Sequence, residues 1–141
     1  MGTHLLPLAV ALLIATAACD WSTSAPKAPL ALSVSARSVD GSALPVLLQE
    51  RAGEASYLTG YTITFTPDGF WRAEGMRSPV GTAPSEATPF EDNGVYQFDG
   101  TTLRLHSNFS HTDWPSSLRG DTLTSTIIFP TADAPHAIVM W

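Results

Sequence analysis

The sequence predicts an all-β protein, a small antiparallel barrel of about seven or eight short strands that follow one another as a meander. Three observations carry this prediction. Apolar and polar residues alternate with a period of two, best seen where Tyr61, Ile63 and Phe65 stand between threonines. Short turn motifs rich in Asp, Gly and Pro separate such segments. No stretch of convincing length carries the 3.6-residue stripe of an amphipathic helix.

Composition limits the function classes. The chain has 141 residues and a formal net charge of −6, with seven Lys and Arg against thirteen Asp and Glu. Nucleic acid is excluded as a partner, because its phosphates need a basic face. The single cysteine excludes an internal disulfide framework and any zinc site built on several thiolates. The length suits one folded domain.

The amino terminus reads as a targeting segment. Residues 5–18 are an apolar run of about the length of a signal-peptide core, too short for a membrane span of about 20 residues. The run ends in the small residues Thr16, Ala17 and Ala18, and Cys19 follows at once. We therefore predict a signal peptide over residues 1–18.

The tetrad Thr16-Ala17-Ala18-Cys19 resembles the lipobox of bacterial lipoproteins. The resemblance implies that the Cys19 sulfur takes a diacylglycerol and that the amine freed by cleavage is acylated as well, with fatty chains such as palmitate. It places the protein in the cell envelope, on the periplasmic or the surface face of a bacterial membrane. Asp20 resembles the inner-membrane retention signal of enteric bacteria, but that rule varies between bacterial groups and leaves the leaflet open. The alternative is an ordinary secretory signal with an incidental cysteine near the cut.

A tether is predicted between the anchor and the domain. Residues 19–37 begin with a stretch rich in Ser, Pro and Ala that lacks apolar periodicity, which is typical of a flexible linker. The folded domain is predicted over residues 38–141. The alternative is that residues 30–34 already pair as a first edge strand.

The first half of the domain carries two early strand segments and a hairpin. The early strands are predicted over residues 43–50 and 55–57. Residues 61–65 then lead into Pro67-Asp68-Gly69, where Pro presets φ, Asp bonds its own backbone and Gly accepts a positive φ. Residues 70–76 return as the partner strand.

The second half continues the meander. Asp99-Gly100 is the strongest hairpin signal in the chain, and it joins strands predicted over residues 94–98 and 101–106. A weaker turn over residues 118–121 leads into a strand predicted at 122–129. The last predicted strand spans residues 137–141, and a sheet of this many strands tends to close because open edges invite aggregation.

The order of these motifs resembles small lipocalin-like domains of secreted bacterial proteins. The resemblance is carried by residues 40–46, 61–69, 94–96, 99–103 and 120–124. It implies a lipocalin-like barrel over residues 38–141. It says almost nothing about chemistry, because one fold serves many functions.

Aromatic residues are the first candidates for a binding site. The speculative ligand-binding set is Phe65, Trp71, Tyr96, Phe98 and Trp114. An eight-stranded interior is just wide enough to be filled by side chains or to hold one small ligand, so these residues either pack the core or line a cavity for a small apolar ligand. Trp114, followed by Pro115 in a polar segment, is predicted at the rim or surface.

A metal site is the second candidate. His106, His111 and Asp113 lie close together in sequence, with His136 as a possible fourth ligand, and imidazole with carboxylate suits zinc. The alternative is a polar surface loop, since this is no recognised ligand spacing. No Gly-x-Ser-x-Gly elbow is present, and Asp68, Asp99 and Asp121 sit in turns for backbone reasons, so no catalytic residue and no cofactor are predicted.

Three functional hypotheses follow. The first is a non-enzymatic, lipid-anchored envelope protein whose barrel binds a small apolar ligand or a protein partner. The second is a metal-binding or hydrolytic envelope protein that uses the loop from His106 to Asp113. The third is a purely structural envelope module.

Overall fold

The computed structural model describes residues 27–51, 54–79, 87–130, 132 and 134–141. These residues form ten strands and no helix: β1 (Leu32–Val39), β2 (Ser42–Ala43), β3 (Val46–Arg51), β4 (Glu54–Phe65), β5 (Phe70–Pro79), β6 (Thr88–Phe98), β7 (Leu103–Ser107), β8 (Asp113–Arg119), β9 (Thr122–Ile127) and β10 (His136–Met140). Within this part of the chain, no helix is long and apolar enough to cross a membrane. The predicted signal peptide, Cys19 and the amino-terminal part of the predicted tether lie outside the described residues.

The strands close into an antiparallel barrel. From β4 to β10 each strand pairs with the next in sequence, and β1 pairs with both β10 and β4, which closes a ring of eight. The two remaining strands are additions to this ring, since β2 pairs with the end of β1 and β3 pairs with the first half of β4. The prediction of a small all-β antiparallel barrel is confirmed.

The two predicted turns form where the sequence places them. Gly69 has φ +93° and Gly100 has φ +96°, values that favour glycine strongly. The Asp99 carboxylate accepts hydrogen bonds from the backbone N–H groups of Thr101 and Thr102, at 2.9 and 2.7 Å. These local bonds explain why Asp-Gly signals a hairpin, because the side chain satisfies the donors that the turn exposes.

Several boundaries differ from the sequence prediction. The barrel begins at Leu32, before the predicted boundary at residue 38, because β1 is paired on both sides. The predicted strand over 43–50 is divided at Pro45, which has no backbone N–H to donate. The predicted segments 55–57 and 61–65 are one strand, β4, with a bulge between Leu58 and Gly60.

Strand β8 is the largest difference. The sequence predicts a polar segment around Trp114 and Pro115, with Trp114 at the rim, and this is wrong. Trp114 lies within β8, faces the interior and is only 2% exposed. The reason is non-local, since β8 is held between β7 and β9 despite the poor strand propensity of its Pro and Ser residues.

The interior of the barrel is packed with apolar side chains in one continuous core. Aromatic rings contact one another across it: Trp71 and Trp114 have centroids 5.0 Å apart, and Phe65 meets Tyr96 edge-on at 5.3 Å. Such pairs contribute about 0.5–1.5 kcal/mol beyond the area that they bury. The core therefore has the filled form that an eight-stranded ring permits.

Candidate functional site

The aromatic residues predicted to bind a ligand are brought together inside the barrel. Phe65, Trp71, Tyr96 and Trp114 are each 2% exposed, and Phe98 is partly buried against the same core. They pack against one another and against aliphatic residues. Their arrangement is that of a core.

The polar atoms of two of these residues are used by the backbone. Trp71 Nε1 donates to the carbonyl oxygens of Val95 and His106, at 3.1 and 3.2 Å. The Tyr96 hydroxyl accepts a hydrogen bond from the N–H of Leu30 at 2.7 Å and donates to the carbonyl oxygen of Thr66 at 2.9 Å. Burial raises the pKa of Tyr96, so its hydroxyl stays protonated and can donate. Trp71 therefore joins β5 to β6 and β7, and Tyr96 joins β6 to the segments just before β1 and just after β4.

Three other buried polar atoms have no hydrogen-bond partner among the described residues. They are the Tyr61 hydroxyl, Trp114 Nε1 and His136 Nε2. The Phe129 ring packs against both Tyr61 and His136, with centroid distances of 5.0 and 5.8 Å. Burial, with the nearby charge of Asp92, raises the pKa of Tyr61 well above its ordinary value. A buried polar group without a partner commonly marks a bound water or a functional position.

His136 forms a hydrogen bond with Asp40. His136 Nδ1 lies 2.7 Å from Asp40 Oδ2, and the backbone N–H of Ala137 donates to Asp40 Oδ1 at 2.9 Å. The hydrogen bond from His136 lowers the pKa of Asp40. Because an ionised carboxylate can only accept, His136 Nδ1 carries the proton of this hydrogen bond. This pair joins the turn after β1 to the start of β10.

Asp92 is a buried acid in the same interior. It is 3% exposed, and it accepts hydrogen bonds from the Ser107 hydroxyl and from the backbone N–H of Asn93, both at 2.7 Å. Burial raises its pKa, and these donors oppose the rise without cancelling it. The Ser107 hydroxyl also accepts from the N–H groups of Phe109 and Ser110, which ties the loop after β7 to the core.

Of the residues predicted to hold a metal, His106 pairs with Asp113, which also pairs with Arg104, whereas His136 pairs with Asp40. His106 Nδ1 lies 2.8 Å from Asp113 Oδ1, and Arg104 donates to the other carboxylate oxygen at 2.9 Å. His111 lies in the connecting turn with φ +53°. In the part of the chain that the structure describes, no group of three or more His, Cys, Asp or Glu residues is arranged to hold a metal ion. The Arg104 charge also opposes a cation at this carboxylate.

The outer surface has two faces of different chemistry. The first, which we call the hydroxyl face, is made by outward residues of β8, β9, β10, β1 and β4. Its members are Ser117, Thr122, Thr124, Thr126, Ala137, Val139, Trp141, Ser33, Ser35, Arg37, Thr62 and Thr64. These members carry no acidic side chain, and the face is bordered by Asp40, Glu74 and Asp113.

A shallow groove of about 370 Å³ lies over β8, β9 and β10 on the hydroxyl face. Its outward lining includes Pro115, Ser117, Thr124, Thr126, Ala137 and Val139. Trp141 follows Val139 by two residues on the same side of the strand, about 7 Å further along. The backbone of Trp141 exchanges hydrogen bonds with Ser35, so this residue continues the ladder of β10 with β1.

Trp141 is the exposed aromatic residue of this face. It is 52% exposed, and the Arg37 guanidinium carbon lies 5.3 Å from its ring centroid. A cation–π contact of this kind holds the guanidinium beside the ring while its N–H groups remain available for hydrogen bonds. The sequence prediction missed both residues as site candidates, since Arg37 was assigned to the tether and Trp141 to the final strand. The available signals were the alternation of Ser33, Ser35 and Arg37 with apolar residues and the threonine side of residues 61–65.

The second surface, the charged face, is formed by Arg72, Glu74, Glu91, Arg104, His106 and Asp113. Arg72 lies 2.6 Å from Glu91 and 3.2 Å from Glu74, and the hydrogen bond with Glu91 raises the pKa of Arg72. A cleft of about 400 Å³ beside Glu74 and Glu91 is lined further by Met76 and Phe90. Its carboxylates are already paired with Arg72.

In comparisons with protein-family models, curated proteins and solved structures, no match to this chain was found.

Proposed function

We propose that this protein is a non-enzymatic binding module of a bacterial cell envelope, anchored by lipid on Cys19, and that its barrel binds an envelope component through the outer surface. The lipobox resemblance of Thr16-Ala17-Ala18-Cys19 supports the anchor. Two or more acyl chains hold a protein firmly at a membrane, because each buried methylene contributes about 0.8 kcal/mol. The membrane leaflet is left open in this proposal.

One observation supports binding through the outside of the barrel. The aromatic residues that would line an internal cavity are packed together, and Trp71 and Tyr96 direct their polar atoms to the backbone. In contrast, Trp141 is half exposed beside a groove on the hydroxyl face. A half-exposed aromatic side chain beside a groove is typical of a recognition surface.

The anchor is tested with Cys19→Ser in the full-length protein. We expect the wild type to incorporate labelled palmitate and to partition into the detergent phase, and the variant to lose both properties. Ser22→Ala is the matched control, since it alters the same segment and leaves the tetrad intact. A Cys19→Ser protein that remains in the membrane at unchanged mass would contradict the lipid anchor.

A second candidate function is the binding of a small ligand inside the barrel. It is supported by the Tyr61 hydroxyl and His136 Nε2, which have no partner among the described residues and belong to rings that both pack against Phe129. Native mass spectrometry of the full-length protein, purified in detergent from its own envelope, tests it. A bound mass that Tyr61→Phe loses would favour this function, and an empty barrel would favour binding through the outer surface.

A further inference from the structure

The exposure of Trp141 separates it from the other tryptophans that the structure describes. Trp71 and Trp114 are each 2% exposed, whereas Trp141 is 52% exposed and follows Val139, a lining residue of the groove, by two positions. A tryptophan ring is a large, flat and rigid apolar plate with little rotamer entropy to lose on binding. The apolar C–H side of a pyranose ring is a natural partner for such a plate.

The hydroxyl groups of this face are paired across strands in fixed positions. Ser33 and Thr64 oxygens are 3.0 Å apart, Ser35 and Thr62 oxygens are 3.0 Å apart, and Ser117 and Thr124 oxygens are 2.6 Å apart.

In each pair one hydroxyl donates, so the other keeps its hydrogen and both keep acceptor lone pairs. The threonines are β-branched and restricted at χ1, which lowers the entropy that a ligand must offset. A ligand rich in hydroxyl groups can therefore accept from and donate to this surface at many points.

Charge selects among such ligands. The protein carries −6 overall, and an acidic polymer is repelled by most of its surface. Arg37 is the charged side chain among the members of the hydroxyl face, and its planar guanidinium matches a carboxylate. Asp40, at the edge of this face, is already bonded to His136 and to the N–H of Ala137. An acidic chain can therefore place a carboxylate at Arg37.

We propose that the hydroxyl face binds an acidic polysaccharide, a chain of pyranose rings that carry carboxylates, with one ring stacked on Trp141 and a carboxylate paired with Arg37. This inference rests on the proposed function, since it names the ligand of the outer surface. A protein partner is the less favoured occupant, because protein interfaces centre on clustered aromatic and apolar residues. Trp141 is the aromatic side chain among the members of this face, and most of the other members carry a hydroxyl group.

The direct test uses the full-length protein in detergent micelles and two probes of matched length. The probes are a uronic-acid hexamer prepared from alginate and the neutral hexamer maltohexaose, with affinity measured by tryptophan fluorescence and calorimetry. We expect the uronic hexamer to bind at least about tenfold more tightly than maltohexaose, and to weaken as salt is raised. Equal affinity for the two hexamers, or no binding of either, would overturn the proposal.

Variants identify the surface. We expect Trp141→Ala to weaken binding of the uronic hexamer at least about tenfold, as the loss of a central aromatic contact does elsewhere. Phe70→Ala is the matched control, because Phe70 is similarly exposed, at 56%, and lies outside the hydroxyl face. Arg37→Gln should remove the preference for the acidic hexamer, and Arg37→Lys should restore part of it. An equal loss in Trp141→Ala and Phe70→Ala would overturn the assignment to this face.

A last experiment separates failure of this inference from failure of the proposed function. A photoreactive benzoylphenylalanine replaces Thr126 in the groove, and the full-length protein is crosslinked in intact cells. Crosslinks to polysaccharide that Trp141→Ala removes support the inference. Crosslinks to one protein band that Trp141→Ala removes overturn it and keep binding through the outer surface. Crosslinks that persist in Trp141→Ala overturn the inference and keep binding through the outer surface, and the absence of any crosslink overturns both.

Discussion

The hydroxyl face and the charged face cover two sides of one barrel, and they satisfy their polar groups in different ways. On the charged face Arg72 lies between Glu74 and Glu91, so opposite charges neutralise one another within the protein. On the hydroxyl face neutral pairs such as Ser35 with Thr62 keep donors and acceptors for other molecules. The same packed core supports both faces. The inward residues of the strands therefore determine the fold, and the outward residues determine which molecules each face can bind.

Breaking the shared core should abolish the difference between the faces, and Gly94→Ala is the sharpest way to do so. A Cβ at Gly94 would lie 1.7 Å from the carbonyl oxygen of His106 and 2.9 Å from Trp71 Nε1. Backbone has to move to make room, so we expect a loss of at least about 3 kcal/mol in the free energy of unfolding, measured by urea denaturation.

Gly60→Ala is the control for this substitution. A Cβ at Gly60 meets no atom within 4 Å, so the same chemical change should alter the free energy of unfolding by less than about 1 kcal/mol. Equal urea midpoints for the two variants would show that the close packing of β6 against β7 at Gly94 is not required.

The second prediction compares the two tryptophans in contact inside the barrel. Trp71→Phe removes a donor that serves two carbonyl groups, whereas Trp114→Phe removes a donor without a partner in the described residues. The lost ring atoms are the same and both residues are 2% exposed. We therefore expect Trp71→Phe to cost about 1–2 kcal/mol more than Trp114→Phe in urea denaturation. A larger loss for Trp114→Phe would mean that its Nε1 has a partner in solution.

The fold was largely predictable because its signals are local. Period-two alternation in residues 61–65 and the turns at Gly69 and Gly100 depend on a few neighbouring residues, and the structure contains each of them. Strand β8 was missed because its Pro and Ser residues have low strand propensity and it is held by its neighbours on both sides.

The candidate site was much less predictable. Arg37 and Trp141 lie at opposite ends of the domain in sequence, and only the closure of β1 against β10 brings them together. The threonine side of β4 was visible as a pattern. Its neighbours Ser33 and Ser35 were assigned to a tether, because Ser-rich composition outweighed the alternation with Leu32 and Val34. The alternation marks a strand, but it does not show which strand β1 pairs with.

The third prediction concerns Asp92, the acid buried beneath the charged face. Its folded-state pKa is raised by burial, so the folded protein binds this proton more tightly than the unfolded chain. The contribution of Asp92 to the free energy of unfolding is then fully present below the ordinary pKa of an aspartate, about 3.9. It is lost as pH rises through the raised folded-state pKa. Asp92→Asn should remove this loss when urea midpoints are compared from pH 3 to pH 7.

Asp40, at the edge of the hydroxyl face, gives the control with the opposite sign. Its hydrogen bond with His136 lowers its folded-state pKa, so its contribution is present above about pH 3.9 and is lost as pH falls through the lowered value. Asp40→Asn should therefore reduce sensitivity to acid. If Asp92→Asn and Asp40→Asn changed the pH dependence of the urea midpoint in the same direction, the opposite pKa shifts assigned to Asp92 and Asp40 would be wrong.

The fourth prediction concerns the salt dependence of stability. It has the smallest expected effect, and it compares the charged face directly with the hydroxyl face. Glu74 and Glu91 stand directly opposite each other on β5 and β6, and Arg72 contacts both. In Arg72→Ala the two carboxylates repel each other, since like charges directly opposite destabilise a sheet. We expect a small decrease in the urea midpoint at low ionic strength that disappears near 1 M salt, where the screening length is about 3 Å.

Thr64→Val on the hydroxyl face supplies the matched measurement. This variant breaks the neutral pair of Thr64 with Ser33, whose oxygens are 3.0 Å apart, and keeps the β-branched shape that suits a strand. A neutral hydrogen bond is not screened by salt, so the change in its urea midpoint should be the same at low and high ionic strength. Equal salt dependence in Arg72→Ala and Thr64→Val would remove the electrostatic difference between the faces. The preference of an acidic chain for the hydroxyl face would then have no electrostatic basis.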